Sequence, residues 1–182
     1  MKFIPITWQQ LEKDSILLAK KIRDEYGKID EIVAISRGGI VVGRILSDIL
    51  EAKISFITIE SYGGFTQVKE PVITQGLDPS QLLRIRGKKI LLLDELAESG
   101  ATFTKALSYL KKHSITSVVS ASLYVKPQTT YIPHFYIKKL DGWILFPYDL
   151  RETKATFIEE LGLEKAKQKL KALGIKDWTE II

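Results

Sequence analysis

The hydrophobic pattern changes period along the chain. Thr7 to Gln10 carries the spacing of a capping box, and Trp8, Leu11, Leu18, Ile22 and Tyr26 follow near one face until Gly27. That is an amphipathic helix with a start and a stop. Glu31–Ser36 is a short apolar run, the mark of a buried strand, and Gly38-Gly39 breaks it. Val42, Ile45, Leu46, Ile49 and Leu50 return to helical spacing, and Ile54–Ile59 is β-branched and strand-like. Lys89–Leu93 predicts a second strongly apolar strand. Phe103, Ala106, Leu107 and Leu110 predict the next helix, and Ser117–Val125 a further strand. Tyr136–Ile137 and Trp143–Phe146 are shorter strand candidates, and a last helix runs roughly from Phe157 to Leu173, closed by Gly174.

Strands that alternate with helices predict an α/β fold: a mostly parallel, twisted sheet covered by helices on both faces. Ser61 to Arg86 breaks the alternation with Gly63-Gly64, Pro71, Gly76 and Pro79. It is too long for an ordinary connection and reads as a functional flap or a small hairpin. The expected organisation is one domain over 1–152, including a flap at 61–86 and a hood at 124–150, followed by a helical extension over 153–182.

Composition narrows the chemistry. The chain contains no cysteine, which excludes disulfides, thiolate metal sites and a cysteine nucleophile and suits a reducing, cytoplasmic setting. Its N-terminus lacks the pattern of a secretory signal, and no apolar run approaches the ~20 residues that span a bilayer. The net charge of +5 permits a nucleic acid, an anionic membrane or a polyanionic small molecule as partner. The lysines of Glu164–Lys171 read as a solvated helix face without the interleaved aromatics of a nucleic-acid surface. His113 and His134 lie away from every motif, as ordinary helix-end and strand-edge residues.

The chemistry concentrates in Ile90-Leu-Leu-Leu-Asp-Glu-Leu-Ala-Glu-Ser-Gly-Ala-Thr102. An apolar strand ends at the acids Asp94 and Glu95, and Ser99-Gly100-Ala101-Thr102 opens a helix. Ligands of open parallel sheets bind beyond the carboxyl ends of the strands, and a helix N-terminus offers N–H groups and a positive dipole end to a phosphate. Gly100 permits close approach, and Ser99 and Thr102 add hydroxyls. Two carboxylates beside a phosphate cradle suit a sugar diol or a magnesium ion that bridges ligand oxygens. The nucleotide P-loop pattern is absent.

This string resembles the phosphoribosyl-pyrophosphate motif of the type I phosphoribosyltransferases, with Glu95 where Asp is more frequent and Ser99 where Thr is usual. Three further stretches resemble the 6-oxopurine branch, the hypoxanthine/xanthine/guanine enzymes of prokaryotes. Ser36-Arg37-Gly38-Gly39 is similar to the pyrophosphate loop, an anion nest with an added guanidinium. Tyr124-Val125-Lys126-Pro127 is similar to the segment whose lysine donates to the purine 6-oxo group. Asp141-Gly-Trp143-Ile144-Leu-Phe-Pro-Tyr-Asp149 resembles the base-binding segment: Trp143 would stack on the purine, Ile144 would meet its edge through the backbone, and Asp149 would approach the magnesium–pyrophosphate. The resemblance covers residues 30–150.

The resemblance implies transfer of a 5-phosphoribosyl group from phosphoribosyl pyrophosphate to hypoxanthine, guanine or xanthine in purine salvage, with Mg2+ held by Asp94, Glu95 and Asp149. It implies Glu98 as the base that manages the purine N7 proton, where the family usually carries Asp. It implies a flap with Ser61 and Tyr62 near its hinge, both approaching the pyrophosphate, and a homodimer or homotetramer. Two other classes remain open on the same fold: a regulator that senses phosphoribosyl pyrophosphate or a nucleotide and binds nucleic acid, and a metabolite-binding protein in which Glu98 has abolished turnover.

Overall fold

A computed structural model describes residues 2–60 and 70–174. The chain forms two compact units, Leu11–Asp141 and Met1–Gln10 together with Gly142–Ile182.

The larger unit is built on a six-stranded sheet of order β4-β3-β2-β5-β6-β7. Its strands are β2 (Glu31–Ser36), β3 (Lys53–Glu60), β4 (Val72–Gln75), β5 (Ile90–Ala97), β6 (Val118–Val125) and β7 (Phe135–Lys139). All neighbours are parallel except β3 and β4, which pair antiparallel. The helices are α1 (Trp8–Tyr26), α2 (Gly39–Ile49), α3 (Pro79–Ile85) and α4 (Ala101–Lys112).

Strand alternation sends side chains to opposite faces, and both are covered. Gly43 of α2 comes so close to Ala34, Ile54 and Leu93 that a Cβ would lie 2.8 Å from Ile54 Cδ1. On the other face Phe103, Ala106 and Leu110 of α4 join a core with Val33, Ile35, Ile90 and Leu92. At ~25 cal/mol per Å² of apolar surface, these fully buried side chains supply the main drive for folding.

The chain turns one way from β2 to β3 and the other way from β5 through β6 to β7. The switch point is therefore the gap between the neighbours β2 and β5, where open α/β sheets bind ligands. The loops that follow β2, β5 and β6 all leave from the carboxyl end, because the three strands are parallel neighbours.

β5 runs further than the apolar stretch predicts. Its ladder with β6 continues through Asp94↔Ser122 and Leu96↔Tyr124 to Ala97↔Val125, so the acids sit within the strand and not beyond its end. Within the 61–86 stretch, the described residues 70–86 hold more order than their composition suggests. β4 returns antiparallel to β3, as in a hairpin, and α3 opens on a capping box in which Asp78 accepts from the Ser80 and Gln81 N–H groups while Gln81 answers at the Asp78 N–H. Arg84 of α3 binds the buried Glu31 at 2.6 and 3.0 Å, anchoring that helix to the start of β2.

In the smaller unit β1 (Phe3–Pro5) pairs parallel with β8 (Trp143–Leu145). The predicted single terminal helix is two: α5 (Leu150–Leu161) and α6 (Leu163–Ala172). Gly162, at φ +74°, separates them, a conformation glycine adopts without steric cost. Phe157 and Ala166 from the two helices pack with Leu145. Among the described residues no helix is long and apolar enough to cross a membrane.

Candidate active site

The loop after β2 begins with a cis peptide bond between Ser36 and Arg37. Gly38 is the N-cap of α2, and Gly39 lies directly on β5: a Cβ there would stand 2.9 Å from Leu93 O and 3.4 Å from Asp94 Cα. Gly38 faces the Glu95 carboxylate, which fills the space a Cβ would take. Gly39 is thus required by the close approach of this loop to the β5 backbone, whereas at Gly38 the opposing group is the flexible end of the Glu95 side chain. This places the sequence-predicted nest, Ser36, Arg37, Gly38 and Gly39, against the predicted acids.

Asp94 is 8% exposed. Burial, then the charge of Glu95, pushes its carboxyl well above the usual carboxylate range, while the Glu95 N–H donates to Asp94 Oδ1 at 2.9 Å. Glu95 Oε2 is buried, and among the described residues no hydrogen-bond donor reaches it. An ionised pair with an orphaned oxygen is expensive to bury. A cation or a set of sugar hydroxyls would satisfy it. Mg2+ typically takes one or two carboxylates plus ligand phosphates, and this donor pair fits that habit.

Past β5 the chain turns at Gly100, whose φ of +86° is left-handed, and enters α4. Ser99 Oγ accepts from the Ala101 N–H at 3.3 Å, and Thr102 occupies the first turn. The remaining N–H groups of that turn have no acceptor within the helix, which suits a phosphate. The loop after β6 lies alongside. Lys126 is 5% exposed, its N–H donates to Ala97 O at 2.9 Å, and its ammonium stands 3.9 Å from Glu98 Oε1. The structure therefore brings together the predicted pyrophosphate loop, the acid pair, the phosphate turn, Glu98 and Lys126.

Trp143, Ile144 and Asp149 belong to the smaller unit. Trp143 opens β8, is half-buried, and donates its backbone N–H to Lys2 O at 2.7 Å. Ile144 is buried, and Asp149 is the N-cap of α5. Ser61 and Tyr62 lie outside the described residues. His113 closes α4 and His134 precedes β7, where its Nδ1 lies 2.8 Å from Ser120 Oγ. Thr129, Thr130 and Tyr131 are residues that sequence reasoning missed. They press against Gly100 and Ser99, and nothing in their local pattern signals it.

A doubly wound α/β sheet with an acid pair and a helix N-terminus at its switch point suits a phosphorylated, hydroxyl-bearing ligand. The chain belongs to the phosphoribosyl transferase domain family, whose profile matches residues 7–153. It is 30% identical over 152 residues to a xanthine-guanine phosphoribosyltransferase of Gluconobacter oxydans, covering 81% of this chain and 84% of that protein. A purine phosphoribosyltransferase of Pyrococcus horikoshii superposes with a TM-score of 0.69 at 28% identity, covering 81% and 94% of the two chains. A Neisseria gonorrhoeae protein solved with bound ppGpp gives 0.70 at 28% identity, covering 94% and 97%.

Proposed function

We propose that the protein transfers the 5-phosphoribosyl group of phosphoribosyl pyrophosphate to a 6-oxopurine (hypoxanthine, guanine or xanthine) and releases pyrophosphate, a reaction of purine salvage. The observation that carries this reading is the abutment of Glu95 on Gly38 at the switch point, with Asp94 buried beside it and the α4 phosphate turn five residues on. Similarity to purine phosphoribosyltransferases supports the same substrate class.

In the reaction the C1–O bond to pyrophosphate breaks and a C1–N9 bond forms, with oxocarbenium character on the ribose between them. The α4 N-terminus, Ser99 and Thr102 hold the 5-phosphate. Asp94 and Glu95 hold the ribose hydroxyls. The Arg37–Gly39 loop receives the pyrophosphate through N–H groups and the guanidinium. When bound, Mg2+ would neutralise charge on the leaving pyrophosphate. Lys126 donates to the 6-oxo oxygen, and Glu98 takes or shares the N7 proton as N9 attacks. Trp143 and Ile144 are assigned to the base, and Asp149 to the magnesium–pyrophosphate, on sequence motif alone.

A panel of hypoxanthine, guanine, xanthine, adenine and orotate, each with phosphoribosyl pyrophosphate and Mg2+, tests the reading. Turnover confined to the first three supports it, whereas turnover of none or of orotate alone refutes it. Light scattering of the same sample tests the expected dimer or tetramer.

The second reading is a regulator that binds a nucleotide. It is favoured by the likeness to the ppGpp-bound protein over nearly the whole chain. Calorimetric binding of ppGpp without purine turnover, with retention on nucleic acid that falls steeply with salt, would select it.

A further inference from the structure

The loop after β6 forms a floor beneath the phosphate turn. Thr130 donates twice to the same atom, Ser99 O: its backbone N–H at 2.9 Å and its hydroxyl at 2.8 Å. Next to it, Tyr131 N would lie 2.5 Å, and Thr129 Oγ1 3.0 Å, from a Cβ on Gly100. The floor is itself pinned. The Tyr131 ring stacks on Phe103 of α4 with centroids 5.4 Å apart, and its hydroxyl meets Ser120 Oγ of β6 at 2.8 Å. Thr129 N–H donates to Lys126 O at 3.2 Å, so the floor continues directly into the lysine assigned to the purine.

We propose that Thr130 is a positioning residue for the phosphoribosyl group: by fixing the Ser99 carbonyl it aims the Gly100 N–H at the 5-phosphate. Among the described residues the only cis peptide is Ser36–Arg37, so the Ser99–Gly100 peptide is trans. In a trans peptide the C=O and the following N–H point in opposite directions. A Ser99 carbonyl held on Thr130 therefore turns the Gly100 N–H to the face away from the Thr129–Tyr131 floor. Gly100 is left-handed and flanked by backbone, and glycine peptides of this kind flip readily unless their carbonyl is held. A donor set in place before the ligand arrives costs no reorganisation on binding. Since the floor also leads to Lys126, the phosphate turn and the purine lysine are fixed in one piece. That suits a reaction that needs the sugar and base at a set separation.

This inference rests on the phosphoribosyltransferase reading, and its test separates the two. Thr130→Val keeps the β-branched shape and the backbone N–H but removes the hydroxyl. Thr130→Ser restores the hydroxyl. Because Thr130 is exposed, neither change disturbs the core. In Thr130→Val, KM for phosphoribosyl pyrophosphate and the calorimetric Kd for ribose 5-phosphate should rise roughly three- to tenfold, the equivalent of one neutral hydrogen bond. The change in kcat should be smaller, and Thr130→Ser should return both constants toward wild type. Unchanged ribose 5-phosphate affinity in Thr130→Val, or a Thr130→Ser protein as weak as Thr130→Val, overturns the positioning role. If the wild-type protein turns over none of the bases the enzymatic reading fails, yet the ribose 5-phosphate comparison still decides what Thr130 does.

Discussion

The Lys126 ammonium stands 3.9 Å from the Glu98 carboxylate, with the lysine side chain 7% exposed and the glutamate 56% exposed. A buried cation is costly without a counter-charge, and Glu98 supplies one from the solvent side. A purine edge proposed to face the two side by side would meet a donor for its 6-oxo group and an acceptor for its N7 proton. Replacing Glu98 by Gln keeps the shape and removes the acceptor for a proton. We expect Glu98→Gln to lower kcat by about 100-fold or more, in the range of lost general-base catalysis. Binding of phosphoribosyl pyrophosphate should change far less. Steady-state kinetics with both substrates varied checks this, and equal losses in kcat and in phosphoribosyl pyrophosphate affinity would remove Glu98 from the chemistry.

Asp94 carries a pH signature. Its carboxyl lies well above its ordinary value of 3.8, through burial first and the Glu95 charge second. A group raised on folding contributes stability that is complete below the unfolded value and is lost as pH climbs through the folded one. At neutral pH an aspartate here therefore makes the ligand-free protein less stable than a side chain that cannot ionise would. Asp94→Asn should melt higher than wild type at neutral pH, and the gap should close as pH falls toward 3.8. The same variant should lose phosphoribosyl pyrophosphate binding. Thermal melts across pH, paired with calorimetry, measure both, and a variant that melts lower than wild type at neutral pH would contradict the account.

The parts of this site that are legible in sequence are those made by contiguous residues. Glu31–Ser36 reads as a strand because every position but the last is buried, and the glycines after it mark the turn. The string from Ile90 to Thr102 is legible because strand, acids and helix cap follow one another without interruption. Boundaries are less legible where polar residues continue a regular element. β5 keeps its ladder through Asp94, because the pairing with β6 and not apolarity sustains it. Long-range pairings leave no local trace. The β1–β8 ladder joins residues about 140 positions apart in the chain, and the bond from Thr130 to Ser99 runs between a side chain and a carbonyl, which no residue pattern encodes.

Gly100 should be the least replaceable glycine of the site. Its φ of +86° costs an L-residue about 1–2 kcal/mol. A Cβ would also stand 2.5 Å from the Tyr131 backbone nitrogen, which has no rotamer by which to withdraw. Gly100→Ala should therefore lower Tm by several degrees and weaken phosphoribosyl pyrophosphate binding together, since both depend on the turn against its floor. Calorimetric melts and initial-rate kinetics of the variant check the coupling. A Tm equal to wild type would mean that the floor yields.

Gly38→Ala should behave differently, although its Cβ would overlap another group more severely. The obstructing atoms are the Glu95 carboxylate, the far end of a flexible side chain, and Gly38 itself has an ordinary right-handed conformation at φ −60° and ψ −45°. Glu95 swings aside, so the fold loses little. What is lost is the place of the carboxylate beside Asp94, where the ribose hydroxyls are proposed to bind. We expect KM for phosphoribosyl pyrophosphate to rise about tenfold or more, from loss of one or two charge-assisted hydrogen bonds. Tm should fall less than in Gly100→Ala. The two variants measured side by side, by melting and by initial rates, separate a glycine needed for the fold from one needed for the sugar. A Gly38→Ala protein with unchanged KM and a large Tm loss would show that Glu95 does not serve the ribose.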